Sequence, residues 1–187
     1  KEKLAQHLDN LFTAKQETSG RKQPDITGLI GQYVHGNEPS HHMAYLYNFV
    51  NQPSDTQRIV REILTTLYSN APDGVSGNED CGQMSAWYVF SSLGFYPVTP
   101  GSNQYIIGSP LFEKATINLE DSKQFTVQAN GISKENFYIK SAKLNGKVLD
   151  RSYLYHQEIT SGGPLVFERT NTPSPWGTQE PQSPSPQ

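Results

Sequence analysis

The sequence predicts an α+β protein, with helices in its first half and antiparallel strands in its second. Three observations carry this. Apolar residues recur at helical spacing as far as Gly94. After Pro97 the period shortens to two, in runs such as "ATINL", "QFTVQA" and "PLVFER" separated by Gly, Asn, Asp and Ser turns. Within that second half, Asn145-Gly146 in "LNGKVL" is the dipeptide that best favours a two-residue hairpin. Helices followed by strands read as α+β rather than alternating α/β.

The first helix is "KEKLAQHLDNLF", with Leu4, Leu8, Leu11 and Phe12 on one face. A loop marked by Gly20, Pro24, Gly28 and Gly31 follows. The second helix is expected from near Pro39, carrying "SHHMAYLYNFV". The third, "PSDTQRIVREILTTLY", is expected to open on a Ser54–Gln57 capping box and to bury Ile59, Ile63, Leu64 and Leu67. The fourth runs from about Asp80 to Leu93, with Asp80 and Gln83 spaced as a capping box, Gly94 as its stop, and Met84, Trp87, Phe90 and Ser91 facing inward. The expected domains are 1–97 (helical), 98–171 (antiparallel strands) and 172–187. This last stretch, Pro-, Ser- and Gln-rich, is expected to be disordered, with Trp176 its only anchor.

Composition narrows the function. A formal net charge of -3 over 187 residues gives no basic surface for nucleic acid or an anionic membrane. No apolar run approaches the ~20 residues of a membrane span. Ten Tyr, eight Phe and two Trp supply much of the core. The single cysteine, Cys81, allows no intramolecular disulfide; flanked by carboxylates it makes a poor nucleophile, and it is expected to be a small buried residue. The chain does not begin with Met, carries no signal peptide and opens inside a helical pattern, as a fragment or processed product would.

Two glycine-led acidic turns hold the candidate chemistry: "HGNEPSHH" (35–42) and "SGNEDCGQ" (76–83). Each places Gly-Asn-Glu at or just before an expected helix start. Taken singly, each is an ordinary helix opening, with an acidic first turn favouring the dipole and Pro39 at its first position. Taken together, the two turns are expected to converge at one end of a set of antiparallel helices, where carboxylates and amides would serve a sugar or a divalent cation. His35, His41 and His42 lack the His-Glu-x-x-His spacing of a zinc site, and the oxygen donors Asn37, Glu38 and Asp80 suit calcium better. Tyr33 has a claim to a pocket, whereas Trp87 and Tyr88 read as core.

"GNEPSHHMAYLYNF", "GNEDCGQMSAWYVFSSLGFYPVTPGSNQYIIGSPLFEKATINL" and the closing "YLYHQEITSGGPLVFERTNTPSPWG" resemble the C-terminal part of glycoside hydrolase family 92, the calcium-dependent exo-α-mannosidases, mostly bacterial. The resemblance covers roughly Leu4 to Gly177. It implies that the helices are the last of an (α/α)6 barrel and the strands part of a β-sandwich. By the same resemblance, Asn37 and Glu38 are calcium ligands and Asp80 is the catalytic base. Asn78, where the family often has an assisting acid, Glu79 and His41 are placed at the substrate. The implied reaction is inverting hydrolysis of terminal α-linked mannose, α-1,2 in preference, with a general acid supplied by the upstream part of the same polypeptide. The chain alone is therefore expected to be inactive, with apolar faces exposed on helices two to four. The implied setting is bacterial export to the periplasm or the exterior. The alternatives are a non-catalytic calcium- or carbohydrate-binding module, and a scaffold whose acidic turns only cap.

Overall fold

The structure is a computed structural model that describes residues 1–16 and 26–178. Among the described residues, four α-helices, α1 (Glu2–Thr13), α2 (Pro53–Thr66), α3 (Gln83–Leu93) and the short α4 (His156–Thr160), accompany ten strands. The molecule is α+β, and the expected loop at 18–32 lies partly outside the described residues. Its described end forms a small hairpin of β1 (Leu29–Ile30) and β2 (Tyr33–Val34).

The stretch expected to be a second α-helix winds instead as 3₁₀ turns, Glu38–Ser40 and Met43–Val50. Its burial repeats every three residues. Ala44, Tyr47 and Val50 are buried, as are Tyr45 and Asn48, while Met43, Leu46 and Phe49 lie at the edge. A three-residue turn stacks such positions directly above one another, and the core here accepts that tighter winding.

α1 buries Ala5, Leu8 and Phe12, and α2 buries Ile59, Val60, Ile63 and Leu64, around the 43–50 segment. α2 has no Ser54–Gln57 capping box. The Gln57 side chain is drawn into the core, where Oε1 accepts from the Ile139 amide at 2.8 Å, and Ser54 Oγ donates to the Ser174 carbonyl at 3.2 Å. Satisfying a buried strand amide outweighs a local cap. α3 stops at Gly94, whose φ of +103° a residue with Cβ rarely adopts, and whose amide donates to the Phe90 carbonyl at 3.1 Å.

Three strands, β3 (Phe95–Tyr96), β4 (Gln104–Ile107) and β9 (Tyr153–Tyr155), form a middle layer. Alternation directs Ile106 and Tyr153 into the helical core, and Tyr105 and Leu154 into a second core. Across that second core stands a five-stranded sheet in the order β5 (Lys114–Asn118), β6 (Gln124–Asn130), β10 (Gly163–Thr170), β7 (Tyr138–Leu144) and β8 (Lys147–Leu149). Leu165 and Phe167 of β10 meet Phe125 and Val127 of β6 there. β10 inserts between β6 and β7, so it pairs antiparallel with β7 but parallel with β6. The purely antiparallel expectation is corrected on that point. The 131–137 connection consequently arches over the end of β10. β7 and β8 turn at Asn145-Gly146, with φ of +51° and +77°, the left-handed pair of a type I′ hairpin.

Within residues 172–178, expected to belong to a disordered tail, Trp176 and Gly177 are buried and Ser174 Oγ donates to the Ile139 carbonyl at 2.5 Å. Trp176 is 8% exposed, and its Nε1 donates to the Leu149 carbonyl at 2.7 Å. Residues 179–187 lie outside the described residues. The apolar faces expected to be open on helices two to four are largely covered. Among the described residues of these segments, the exposed large apolar side chain is Val89 of α3.

Candidate active site

The two acidic turns meet. Gly36 and Gly77 pack backbone to backbone: a Cβ on Gly77 would lie 3.0 Å from the Gly36 carbonyl oxygen, and Gly77 has φ +79°. Bulk there would wedge the turns apart. Beyond the glycines, the Glu38 carboxyl lies within hydrogen-bonding reach of Asp80.

A buried network fixes this approach. Trp87, wholly buried on α3, donates from Nε1 to the His41 carbonyl at 2.9 Å. His41 Nε2 donates to the His35 carbonyl at 3.0 Å, and its Nδ1 accepts from Gln83 at 3.2 Å. Tyr68 donates to the Met84 carbonyl at 3.1 Å, so it accepts from His35 Nε2–H at 2.6 Å, leaving Nδ1 to accept from Tyr33 at 2.7 Å. Both histidines are thus neutral Nε2–H tautomers that stitch the first turn to α3.

Burial, then the neighbouring His41, brings His35 down to about 3 from 6.5. Its folded value lies below its unfolded one. The stability it contributes is therefore complete above about 6.5 and declines as pH falls toward about 3. Urea midpoints measured at stepped pH are expected to fall through that window, and His35→Gln to flatten the slope.

α3 does not open on an Asp80–Gln83 capping box. Asp80, Cys81 and Gly82 all have positive φ (48°, 57° and 89°), which delays the helix to Gln83. The cap is Glu79 instead: its carboxylate accepts the Ser85 amide at 2.9 Å and the Ser85 hydroxyl at 2.8 Å. Those two bonds, amide first, lower the Glu79 carboxyl below its ordinary range. The cap therefore holds above that range and is lost as pH falls through the depressed value. Glu79→Ala is expected to speed hydrogen exchange at the Ser85 amide, with the exchange of the α2 amides unchanged.

Asp80 is freed for other work. Its hydrogen bond with Glu38, then desolvation, then the charges of Glu38 and Glu79 hold its carboxyl above the usual range. The fold therefore prefers Asp80 protonated, a preference that turns against stability as pH rises through the raised value. Every charge acting on Asp80 is acidic. Two facing carboxylates with the amide residue Asn37 exposed beside them form a hard, oxygen-donor set that fits calcium and is incomplete for zinc. Among the described residues no group of three or more His, Cys, Asp or Glu side chains is placed to hold a metal, so water or substrate oxygens would complete the shell.

The family model described as the glycosyl hydrolase family 92 catalytic domain matches residues 1–171. The chain belongs to glycosyl hydrolase family 92. The family GH92 α-mannosidase BT3965 of Bacteroides thetaiotaomicron, solved with mannoimidazole, superposes with a TM-score of 0.90 at 44% identity, over 95% of this chain and 24% of that one. The family GH92 inverting mannosidase BT2199 of the same organism gives 0.83 at 39% identity, over 97% of this chain and 26% of that one. An uncharacterized secreted glycosidase of Arthroderma benhamiae is 36% identical over 146 residues, 76% of this chain and 19% of its own. The chain thus spans about a quarter of the solved family 92 enzymes it matches.

Within this family 92 segment, Asn37, Asn78, Glu79 and Asp80 are exposed and Glu38 is half-buried along the joined turns. His41, expected to touch substrate, is 2% exposed with both ring nitrogens engaged, so here it positions the turn instead. Tyr33 is wholly buried core rather than pocket wall. Cys81 is exposed, not buried, because the left-handed turn carries it outward. An adjacent cleft of 610 Å³, bounded by Tyr68, Asn70, Val75, Tyr88 and Val89, touches Glu79 but neither Glu38 nor Asp80. Gln83, bonded to both His41 and Tyr96, is a positioning residue that sequence reading saw only as a cap partner.

Proposed function

We propose that this chain carries the base-bearing part of the active site of an exo-α-mannosidase that hydrolyses terminal, preferentially α-1,2-linked mannose with inversion. The meeting of Glu38 and Asp80 is the observation that supports it, together with membership of family 92 and likeness to an inverting mannosidase. Asp80 acts as general base. The rigid turn before α3 holds its exposed carboxylate where it can take a proton from water. Glu38 and Asn37 would hold calcium beside Asp80. Calcium, when bound, would supply a positive charge that organises sugar hydroxyls. Asn78 and Glu79 flank the sugar, and Glu79 holds the turn through Ser85. An inverting pair needs an acid ~6.5–9.5 Å from the base. That acid comes from the upstream polypeptide, so the 187 residues alone are inactive. The natural substrate is a mannose-containing glycan. The setting is export, in keeping with a relative described as secreted; among the described residues no helix is long and apolar enough to cross a membrane.

The test is proton NMR of an α-1,2-mannobioside treated with the upstream-extended chain. First-formed β-mannose, abolished by EDTA and restored by calcium, is the expected outcome. Release of α-mannose, or release indifferent to EDTA, would contradict the reading. Calcium-dependent sugar binding without release would favour a non-catalytic module.

A further inference from the structure

Arg169 stands where the sheet should be apolar. It follows Leu165 and Phe167 at period two along β10 and faces inward with them, 8% exposed. Its Nη1 donates to the Phe137 carbonyl at 2.8 Å, while its Nε and Nη2 are buried with no partner. Arg61 comes from α2 to the same loop. Its Nη2 donates to the Ser133 carbonyl at 3.0 Å, its guanidinium lies 6.0 Å from the Phe137 ring centre, and its Nη1 is also buried without a partner. Two cations therefore grip the 131–137 arch.

Among the described residues, no carboxylate forms an ion pair with either of them. Burial, then the positive charge of Arg61, lowers Arg169 to about 9. The described ion pairs join Arg58 to Asp55 and Arg151 to Glu158, neither of them at this place, and two acids of the neighbouring strand and arch are engaged with amide and hydroxyl groups: Glu168 accepts from Asn130 at 2.7 Å, and Glu135 from Ser133 Oγ at 3.4 Å. Buried guanidinium charge without a counter-ion is costly, and cores retain it where something completes it. The donors left over define what would. Nε and Nη2 form one edge of a planar guanidinium, the fork that gives two parallel bonds to a carboxylate or phosphate. Arg61 Nη1 adds a third donor from the half-buried side.

We propose that Arg61 and Arg169 form a binding site for a small oxyanion between α2 and the 131–137 arch. The shared chemistry is a carboxylate or phosphate group, supplied either as a free anion or by a side chain of polypeptide outside these residues. The site is independent of the mannosidase reading.

The probe is inorganic phosphate at low millimolar concentration, with chloride matching the ionic strength. It is expected to bind the chain at one site and to raise its Tm. Arg61→Gln, at a half-buried position, is expected to fold and to lose both effects. Arg169→Met, which replaces buried charge by apolar volume, is expected to do the same. If the upstream-extended chain also responds, the ligand is a free anion. If only the 187-residue chain responds, a carboxylate of the longer polypeptide fills the site. Absence of a response in the 187-residue chain overturns the proposal. So does an equal Tm rise in parent and variants, which would be general stabilisation by an excluded salt.

Discussion

Asp80→Asn in the upstream-extended enzyme is expected to lower kcat for mannose release by about 10²–10⁴-fold, the usual contribution of a general base, with Tm no lower than the parent's. Both halves of this expectation come from the turn before α3. The Asp80 side chain is exposed and does not cap the helix, because Glu79 takes the Ser85 amide. Asparagine tolerates the left-handed backbone that Asp80 adopts at φ 48° and still offers Glu38 a hydrogen bond. It cannot accept a proton from water. Steady-state kinetics and a thermal melt on one preparation check the pair of outcomes. A large fall in Tm would mean that Asp80 is structural. An unchanged kcat would place the base elsewhere.

Trp87→Ala is expected to cost about 3–5 kcal/mol of stability, the range for removing a large buried aromatic, read as a lower urea midpoint. Trp87 is wholly buried and stacks parallel to Tyr68 at 6.1 Å between ring centres, with His35 edge-on at 4.5 Å. Its indole N–H is also the bond that ties α3 to the first acidic turn through the His41 carbonyl. Trp87→Phe keeps much of the volume and removes that donor, so it isolates the bond at about 1–3 kcal/mol for an acceptor left unsatisfied in the core. Because the His41 carbonyl belongs to the first turn, both variants should also loosen Glu38 against Asp80. In the extended enzyme kcat should then fall by more than the unfolded fraction explains.

The elements set by local chemistry were legible in the chain. The Asn145-Gly146 hairpin, the stop at Gly94, the burial of Leu8 and Phe12 on α1 and of Ile59, Ile63 and Leu64 on α2, and the change from helices to strands each follow from residues within a few positions, although Leu4, expected on the inner face of α1, is 39% exposed and Ala5 is buried in its place. So did the existence of two matching acidic turns. Elements set by distant partners were not legible. Gln57 was spaced for a cap but serves a strand amide 82 residues away. β10 enters a gap between β6 and β7, and no period-two pattern marks a strand as parallel. At the site, the spacing of Asp80 and Gln83 favoured a capping box. Three consecutive left-handed residues instead shift the helix start and pass the cap to Glu79. That exchange leaves one acid to hold the helix and one free to act, and it also turns Cys81 outward. His41 was placed at the substrate by resemblance, yet the carbonyl and amide around it come from long-range packing.

The measurement that most directly tests the meeting of the two turns is a calorimetric titration of the upstream-extended protein with calcium, run beside Glu38→Gln and Asp80→Asn. If the turns converge as described, the parent binds one calcium at this place, and either single substitution weakens it at least tenfold, because both carboxylates face the same ion. Calcium affinity unchanged in both variants would contradict the account: the ion, if bound at all, would then sit away from the joined turns.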